Sequence, residues 1–222
     1  MTKIGSMLRS ADPLRTTVWI GAVLLVLAGP VQAADQRLLI IGDSLSDAYN
    51  MPREAGWAYL LEQRLGSEWR VINAAISGET TAGAAFRTPE LLARHQPTHI
   101  LIILGGNDGL RALSPAQVES NLQSVIEAAR ASDAAVALMQ IRLPPSLGPV
   151  YLRRFEGIYP ALAQENDLLL VPFFLEALFD QPGMMLDDGI HPSVAAQAPM
   201  LEAIWRDLAS FLMKPEAQPQ DS

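Results

Sequence analysis

The chain has 222 residues, a formal net charge of −8, half of its residues apolar, and no cysteine. That length suffices for one α/β domain with a sizeable core. The acidic balance, with only 16 Lys and Arg and these scattered, argues against a nucleic-acid partner, and the lack of cysteine excludes disulfides, thiol nucleophiles and thiolate metal sites.

Lys3, Arg9 and Arg15 precede an apolar run over 18–28, which Gly29, Pro30, Val31, Gln32 and Ala33 follow. Val31 and Ala33 occupy the small-residue positions of a cleavage site. Residues 1–33 are therefore expected to form a signal peptide cut after Ala33. The run has about eleven residues, short of the ~20 that a membrane span needs; an uncleaved anchor is the alternative. Cleavage would remove three basic residues and only Asp12 of the acids, leaving a more acidic chain. A periplasmic or secreted monomer without a membrane span is expected, with one domain over 34–214 and a flexible polar tail over 215–222.

Past the leader, an unbroken aliphatic run predicts a buried strand over 37–41, ending at Gly42-Asp43-Ser44. Trp57, Leu60, Leu61 and Leu65 follow at helical spacing and close on Gly66. A second strand is predicted over 69–72. A small, polar loop is predicted over 74–83, with a short helix over 88–95. The third strand, 99–104, breaks at Gly105-Gly106-Asn107-Asp108-Gly109, which reads by itself as a permissive turn.

Ser114 and Pro115 open the clearest helix, with Ser114 expected to cap it and Val118, Leu122, Val125, Ile126 and Ala129 on one stripe. Strand four is predicted over 135–141, a stiff proline-rich loop over 142–150, a helix over 151–165 and strand five over 168–171. The stretch 176–190 reads as mostly irregular. A last helix carries Leu201, Ile204, Trp205, Leu208 and Leu212, and Pro199 requires it to start only a few residues earlier. Strands alternating with helices imply parallel βαβ units in a three-layer α/β/α sandwich. The strand order is not readable from this pattern.

Parallel strands would gather the loops after Ser44, Gly78, Asn107 and the Asp188 to His191 segment on one side of the sheet, where such folds bind ligands. A serine hydroxyl needs a base to act as a nucleophile. His95 and His99 flank the entry to the third strand, on the opposite rim, so His191 is the base available to Ser44. Asp188 stands three residues before His191 and could orient its ring; Asp187 competes for this role. Gly78 and Ser44 could offer backbone N–H groups, and Asn107 its side-chain amide, to an oxyanion. Asp43 reads as a turn or helix-start residue. A hard-cation site on Asp43, Asp187, Asp188 and His191 is a competing reading, disfavoured because no second histidine is nearby.

Together these residues resemble the SGNH hydrolases, also called the GDSL family. Gly42-Asp43-Ser44-Leu45-Ser46, Ile76-Ser77-Gly78-Glu79-Thr80, Gly105-Gly106-Asn107-Asp108 and Asp188-Gly189-Ile190-His191-Pro192 look like its four blocks, in family order. The absence of Gly-x-Ser-x-Gly argues against the ordinary α/β-hydrolase fold. Gly109-Leu110-Arg111, 139–144 and Val171-Pro172-Phe173-Phe174 are similar to a subgroup of bacterial periplasmic esterases with thioesterase, lysophospholipase and arylesterase activities. The resemblance implies a flavodoxin-like fold with a five-stranded parallel sheet. It also implies Ser44 as nucleophile, His191 as base, Asp188 as orienter, an oxyanion hole of Ser44, Gly78 and Asn107, and hydrolysis of acyl esters and thioesters without cofactor or metal. Leu143 and Pro144, in the stiff loop, are expected to touch the acyl group. A carbohydrate O-acetyl esterase with the same triad is the alternative within enzymes; a non-catalytic exported binding protein is the alternative outside them.

Overall fold

The computed structural model describes residues 36–213. The expected signal peptide, its cleavage site and the polar tail lie outside the described residues. Five strands form one parallel sheet: β1 (Gln36–Gly42), β2 (Trp69–Asn73), β3 (His99–Ile103), β4 (Ala135–Met139) and β5 (Leu169–Val171), in the order β2-β1-β3-β4-β5. Leu38 pairs with Val71 on one side and His99 on the other, so β1 is central. Its residues Leu38 to Ile41 have no exposed surface, as their unbroken aliphatic character requires of a strand covered on both faces.

Among the described residues seven α-helices connect and cover the strands: α1 (Trp57–Leu65), α2 (Thr81–His95), α3 (Gly106–Leu110), α4 (Pro115–Arg130), α5 (Pro149–Glu156), α6 (Ile158–Glu165) and α7 (Val194–Leu212). Helix α1 packs with α7, whereas α2, α4, α5 and α6 pack among themselves, so helices cover both faces of the sheet. The chain leaves β1 toward β2 and returns through α2 to β3 on the other side of β1. That reversal between β1 and β3 opens a crevice at their carboxyl ends, the usual ligand position in this strand order.

Local chemistry moved several boundaries. Helix α2 starts at Thr81, seven residues before its expected start at 88, because the Thr80 hydroxyl caps it by accepting the Gly83 N–H at 3.2 Å. Its first turns are Ala82, Gly83, Ala84 and Ala85, which carry no apolar stripe, and Pro89 lies within it. The expected turn at 105–109 contains a single-turn helix, α3. The expected helix over 151–165 starts at Pro149 and is divided at Gly157 into α5 and α6. Ser114 stands at the N-cap of α4, but its side chain makes no capping bond there. Helix α7 starts a few residues before Pro199, as expected.

Candidate active site

The turn after β1 presents Ser44. Backbone and side-chain hydrogen bonds hold this turn. The backbone oxygen of Asp43 accepts the N–H groups of Ser46 at 3.0 Å and Asp47 at 3.1 Å. The Trp57 indole donates to the Leu45 carbonyl at 3.0 Å, so the first residue of α1 anchors the residue beside Ser44. Trp57 is itself fixed, because its N–H donates to Gln197 Oε1 of α7 at 3.0 Å. This N–H is one that helix geometry leaves without an intrahelical partner.

The segment before α7 brings the imidazole. The Leu186 N–H donates to the His191 carbonyl at 2.8 Å, and the Gly189 N–H to the Leu186 carbonyl at 2.9 Å. Gly189 takes φ 66°, a left-handed conformation that suits glycine. Asp188 Oδ1 accepts the N–H groups of Ile190 and His191, each at 2.9 Å, and Asp188 Oδ2 lies 2.7 Å from His191 Nδ1. His191 Nε2 lies 2.8 Å from Ser44 Oγ. One hydrogen-bonded line therefore runs from Asp188 through His191 to Ser44. Desolvation raises the Asp188 pKa, but these hydrogen bonds and the imidazole outweigh it and bring the carboxyl to about 2. Asp187 is exposed, and Asp188 rather than Asp187 faces the ring.

The Tyr49 ring stacks on the His191 imidazole, with centroids 4.0 Å apart and planes 22° from parallel. Ala48 and Asn50 on either side of it both have positive φ, 53° and 56°. Left-handed non-glycine residues are uncommon and collect at functional sites. Nothing in the sequence singled out Tyr49; only the stacking partner, distant in sequence, gives it meaning.

The loop after β3 supplies Asn107, at the start of α3. It is preceded by Gly105, with φ 111°, where a Cβ would collide with the Tyr159 hydroxyl that donates to the Leu104 carbonyl. Asp108 accepts the Thr81 N–H at 3.0 Å and its hydroxyl at 2.7 Å, tying α3 to the start of α2. The loop after β2 holds Gly78, exposed, with φ 80°. Asp47 Oδ2 accepts the Ser77 N–H at 3.0 Å and hydroxyl at 2.8 Å, which joins this loop to the Ser44 turn. Among the described residues neither the Ser44 nor the Gly78 N–H has a hydrogen-bond partner.

Asp43 has a larger part than a turn residue. It is 1% exposed, and its Oδ1 accepts the Leu45 N–H at 3.1 Å, which is a turn contact. Its Oδ2 accepts the Asn107 amide Nδ2 at 3.2 Å. Burial pushes the carboxyl up to about 6, against the lowering effects of Leu45, Asn107 and His191. Asp43 is thus turned toward Asn107 and Asp188 toward His191, and no metal-binding cluster forms among the described residues.

A cavity of about 260 Å³ opens beside Ser44, Asn107 and His191. Leu143 and Pro144 line it, as do Leu110 at the end of α3, Phe173 and Phe179 after β5, and Ile190 beside His191. The last four were not expected as lining: Leu110 and Ile190 come from the segments that carry Asn107 and His191, and Phe173 and Phe179 from one further segment, that after β5. His95 ends α2 and His99 begins β3, where His99 packs between the rings of Trp69 and Phe211. Both lie at the rim away from Ser44.

The GDSL-like lipase/acylhydrolase family matches this chain over residues 40–198. The chain is 46% identical over 202 residues to Esterase TesA of Pseudomonas aeruginosa, covering 90% of this chain and 100% of that protein. It is 46% identical over 175 residues to Thioesterase 1/protease 1/lysophospholipase L1 of Escherichia coli (strain K12), covering 79% of this chain and 84% of that one. The crystal structure of TesA has 48% identity and a TM-score of 0.77, spanning 80% of this chain and 100% of the other. The chain belongs to the GDSL-like lipase/acylhydrolase family and is an ester hydrolase of it.

Proposed function

We propose that the chain hydrolyses acyl esters and thioesters through a covalent acyl-enzyme on Ser44. The observation that carries this reading is the unbroken line Asp188–His191–Ser44, with links of 2.7 and 2.8 Å, at the mouth of an apolar cavity. His191 Nε2 takes the hydroxyl proton as Ser44 Oγ attacks the acyl carbonyl. Asp188 holds the proton on Nδ1, so that Nε2 is the free lone pair, and stabilises the imidazolium that forms. The Ser44 and Gly78 N–H groups and the Asn107 amide donate to the oxyanion. The imidazolium then protonates the leaving alcohol or thiol. Water, activated by the same ring, releases the acid. A fluorophosphonate probe is expected to label Ser44 and no other residue of the folded protein. A folded, unlabelled protein would sink the reading.

The cavity wall favours fatty-acyl substrates over acetylated carbohydrates, because beyond the polar site residues and Arg142 its side chains are mostly aliphatic and aromatic, Leu110, Leu143, Phe173, Phe179 and Ile190 among them. The names of the relatives, an esterase and a thioesterase and lysophospholipase, point the same way. Each methylene buried in such a wall contributes ~0.8 kcal/mol, or about fourfold in kcat/KM. Across p-nitrophenyl esters and acyl-CoAs of rising chain length, kcat/KM is expected to climb by roughly that factor per methylene until the cavity is filled, then level off. A series that falls from acetate onward would favour the carbohydrate O-acetyl esterase.

We also infer that the protein works outside the cytoplasm, in the periplasm or secreted. The basic and apolar composition of 1–33 supports this, and no helix among the described residues is long and apolar enough to cross a membrane. N-terminal sequencing of the exported protein is expected to read Ala34 first; a mature chain still carrying residues 18–28 would reverse the inference.

A further inference from the structure

We propose that Asp43 is the positioning residue of the oxyanion hole: its carboxylate fixes which end of the Asn107 amide faces the reacting carbonyl. The proposal rests on the oxyanion role assigned above to Asn107. An amide has a donor end and an acceptor end of nearly the same shape, and the wrong end would turn a carbonyl oxygen on a developing negative charge. A carboxylate accepts only, so it admits the NH2 end alone. Asp43 Oδ2 accepts one Nδ2 hydrogen of Asn107 at 3.2 Å, leaving the second for the substrate. Its other oxygen is held by the Leu45 N–H at 3.1 Å, next to the nucleophile. One side chain therefore ties the Ser44 turn to the Asn107 helix across 64 residues of sequence.

The setting supports a functional reason for this charge. Asp43 is 1% exposed and borders the same cavity as Ser44, Asn107 and His191. The titratable groups around it are His191 from the loop before α7, Asp108 from α3 and Tyr159 from α6. Burial opposes the carboxylate most, and Asp108 adds to it; of these charged groups His191 alone favours it, beside the Leu45 and Asn107 hydrogen bonds, and the pKa is raised to about 6. No lysine or arginine compensates among these neighbours. A buried carboxylate kept against such opposition in a reaction cleft is the pattern of a group retained for its charge.

The test compares Asp43→Asn, Asn107→Ala and the double variant on the mature chain with a p-nitrophenyl ester. Asparagine keeps the shape at position 43 and still accepts from Leu45. It presents an NH2 to Asn107, so the Asn107 amide can settle the wrong way round. Asp43→Asn is expected to lower kcat on the order of 10²-fold, with KM within about threefold, the mark of a contact made in the transition state. Its thermal midpoint at pH 8 is expected to equal or exceed that of the unsubstituted chain. The double variant is expected to be no slower than Asn107→Ala. A structural role would instead lower the midpoint and add its loss to that of Asn107→Ala. Asp43→Ser repeats the test without an amide, and loss of the fold in both position-43 variants would overturn the proposal. An unimpaired Asp43→Asn beside a slow Asn107→Ala would overturn it alone. An unimpaired Asn107→Ala would overturn the oxyanion reading and this proposal with it.

Discussion

Replacing Ser44 with alanine is expected to lower kcat for a p-nitrophenyl ester on the order of 10⁴- to 10⁶-fold. The reason is that the acyl-enzyme route disappears, whereas the cavity and the oxyanion donors remain. Those remaining parts leave a residual rate above that in water, so the loss is large but finite. His191→Ala is expected to fall into the same range, because the hydroxyl without its base is inert. The double variant should be about as slow as either single one, since groups that act as a unit are lost together. Stability is the control. The Ser44 side chain sits at the mouth of the cavity, and its recorded side-chain contact is the imidazole, so the thermal midpoint is expected to stay within a few degrees. An Asn107→Ala loss of 10²- to 10³-fold then separates the oxyanion contribution from the nucleophile's. Ser44→Ala retaining more than a tenth of the activity would remove Ser44 as nucleophile.

The position of that serine follows from topology more than from its own neighbours. Ser44 follows β1 and Asn107 follows β3, the two strands between which the direction of winding reverses. A loop on either side of such a reversal is not covered by a crossover, so the two face each other over an open crevice. His191 reaches the same place because its segment is a closed loop, clamped by Leu186, Gly189 and the Met185 bridge to Pro192. Of the two readings of Asp43, the helix start loses its ground, since turns and not a helix follow it directly.

What was legible in the sequence was whatever depends on local pattern. The strands are aliphatic runs, and their ends fell within about two residues of those expected. The four polar groups at element ends were legible because strand and loop were. Strand order was not, because pairing of β1 with β3 is a contact between segments some sixty residues apart. The start of α2 was missed because alanine and glycine leave no stripe to read, and the single-turn α3 because glycine-rich turns and short helices share a composition. Asp43 was read through its sequence neighbours as a turn residue, which its bond to Leu45 bears out. Its bond to Asn107 and its burial are tertiary facts without a local signature. The same holds for Tyr49 over His191, and for Phe173 and Phe179 in the cavity wall.

Asp188→Asn is the second variant expected to be severe, with kcat lowered about 10³- to 10⁴-fold at neutral pH. The carboxylate Oδ2 requires a proton on His191 Nδ1, which leaves Nε2 free to take the Ser44 proton. Asparagine can present its NH2 there and reverse the tautomer. The ring would then point N–H at Ser44 Oγ, and a protonated nitrogen cannot act as a base. The loop itself should survive, because an asparagine Oδ1 can still accept from Ile190 and His191 as Asp188 does. The pH dependence distinguishes the two carboxyls of the site. The folded-state pKa of Asp188 is depressed from 3.8 to about 2, so its stabilisation is present above about pH 4 and is lost as pH falls through about 2. Asp43 has the opposite sign. Its pKa is raised from 3.8 to about 6, so its favourable contribution is present below about pH 4 and is lost as pH rises through about 6. Denaturation of Asp188→Asn beside the unsubstituted chain at pH 7, 4 and 3 is therefore expected to show a stability gap that narrows only at the acid end. Between pH 7 and 5 the Asp188 carboxyl stays ionised, so the carboxyl of this pair that titrates in that window is Asp43. Should Asp188→Asn keep more than a tenth of kcat, the tautomer of His191 would have to be fixed by something other than this carboxylate.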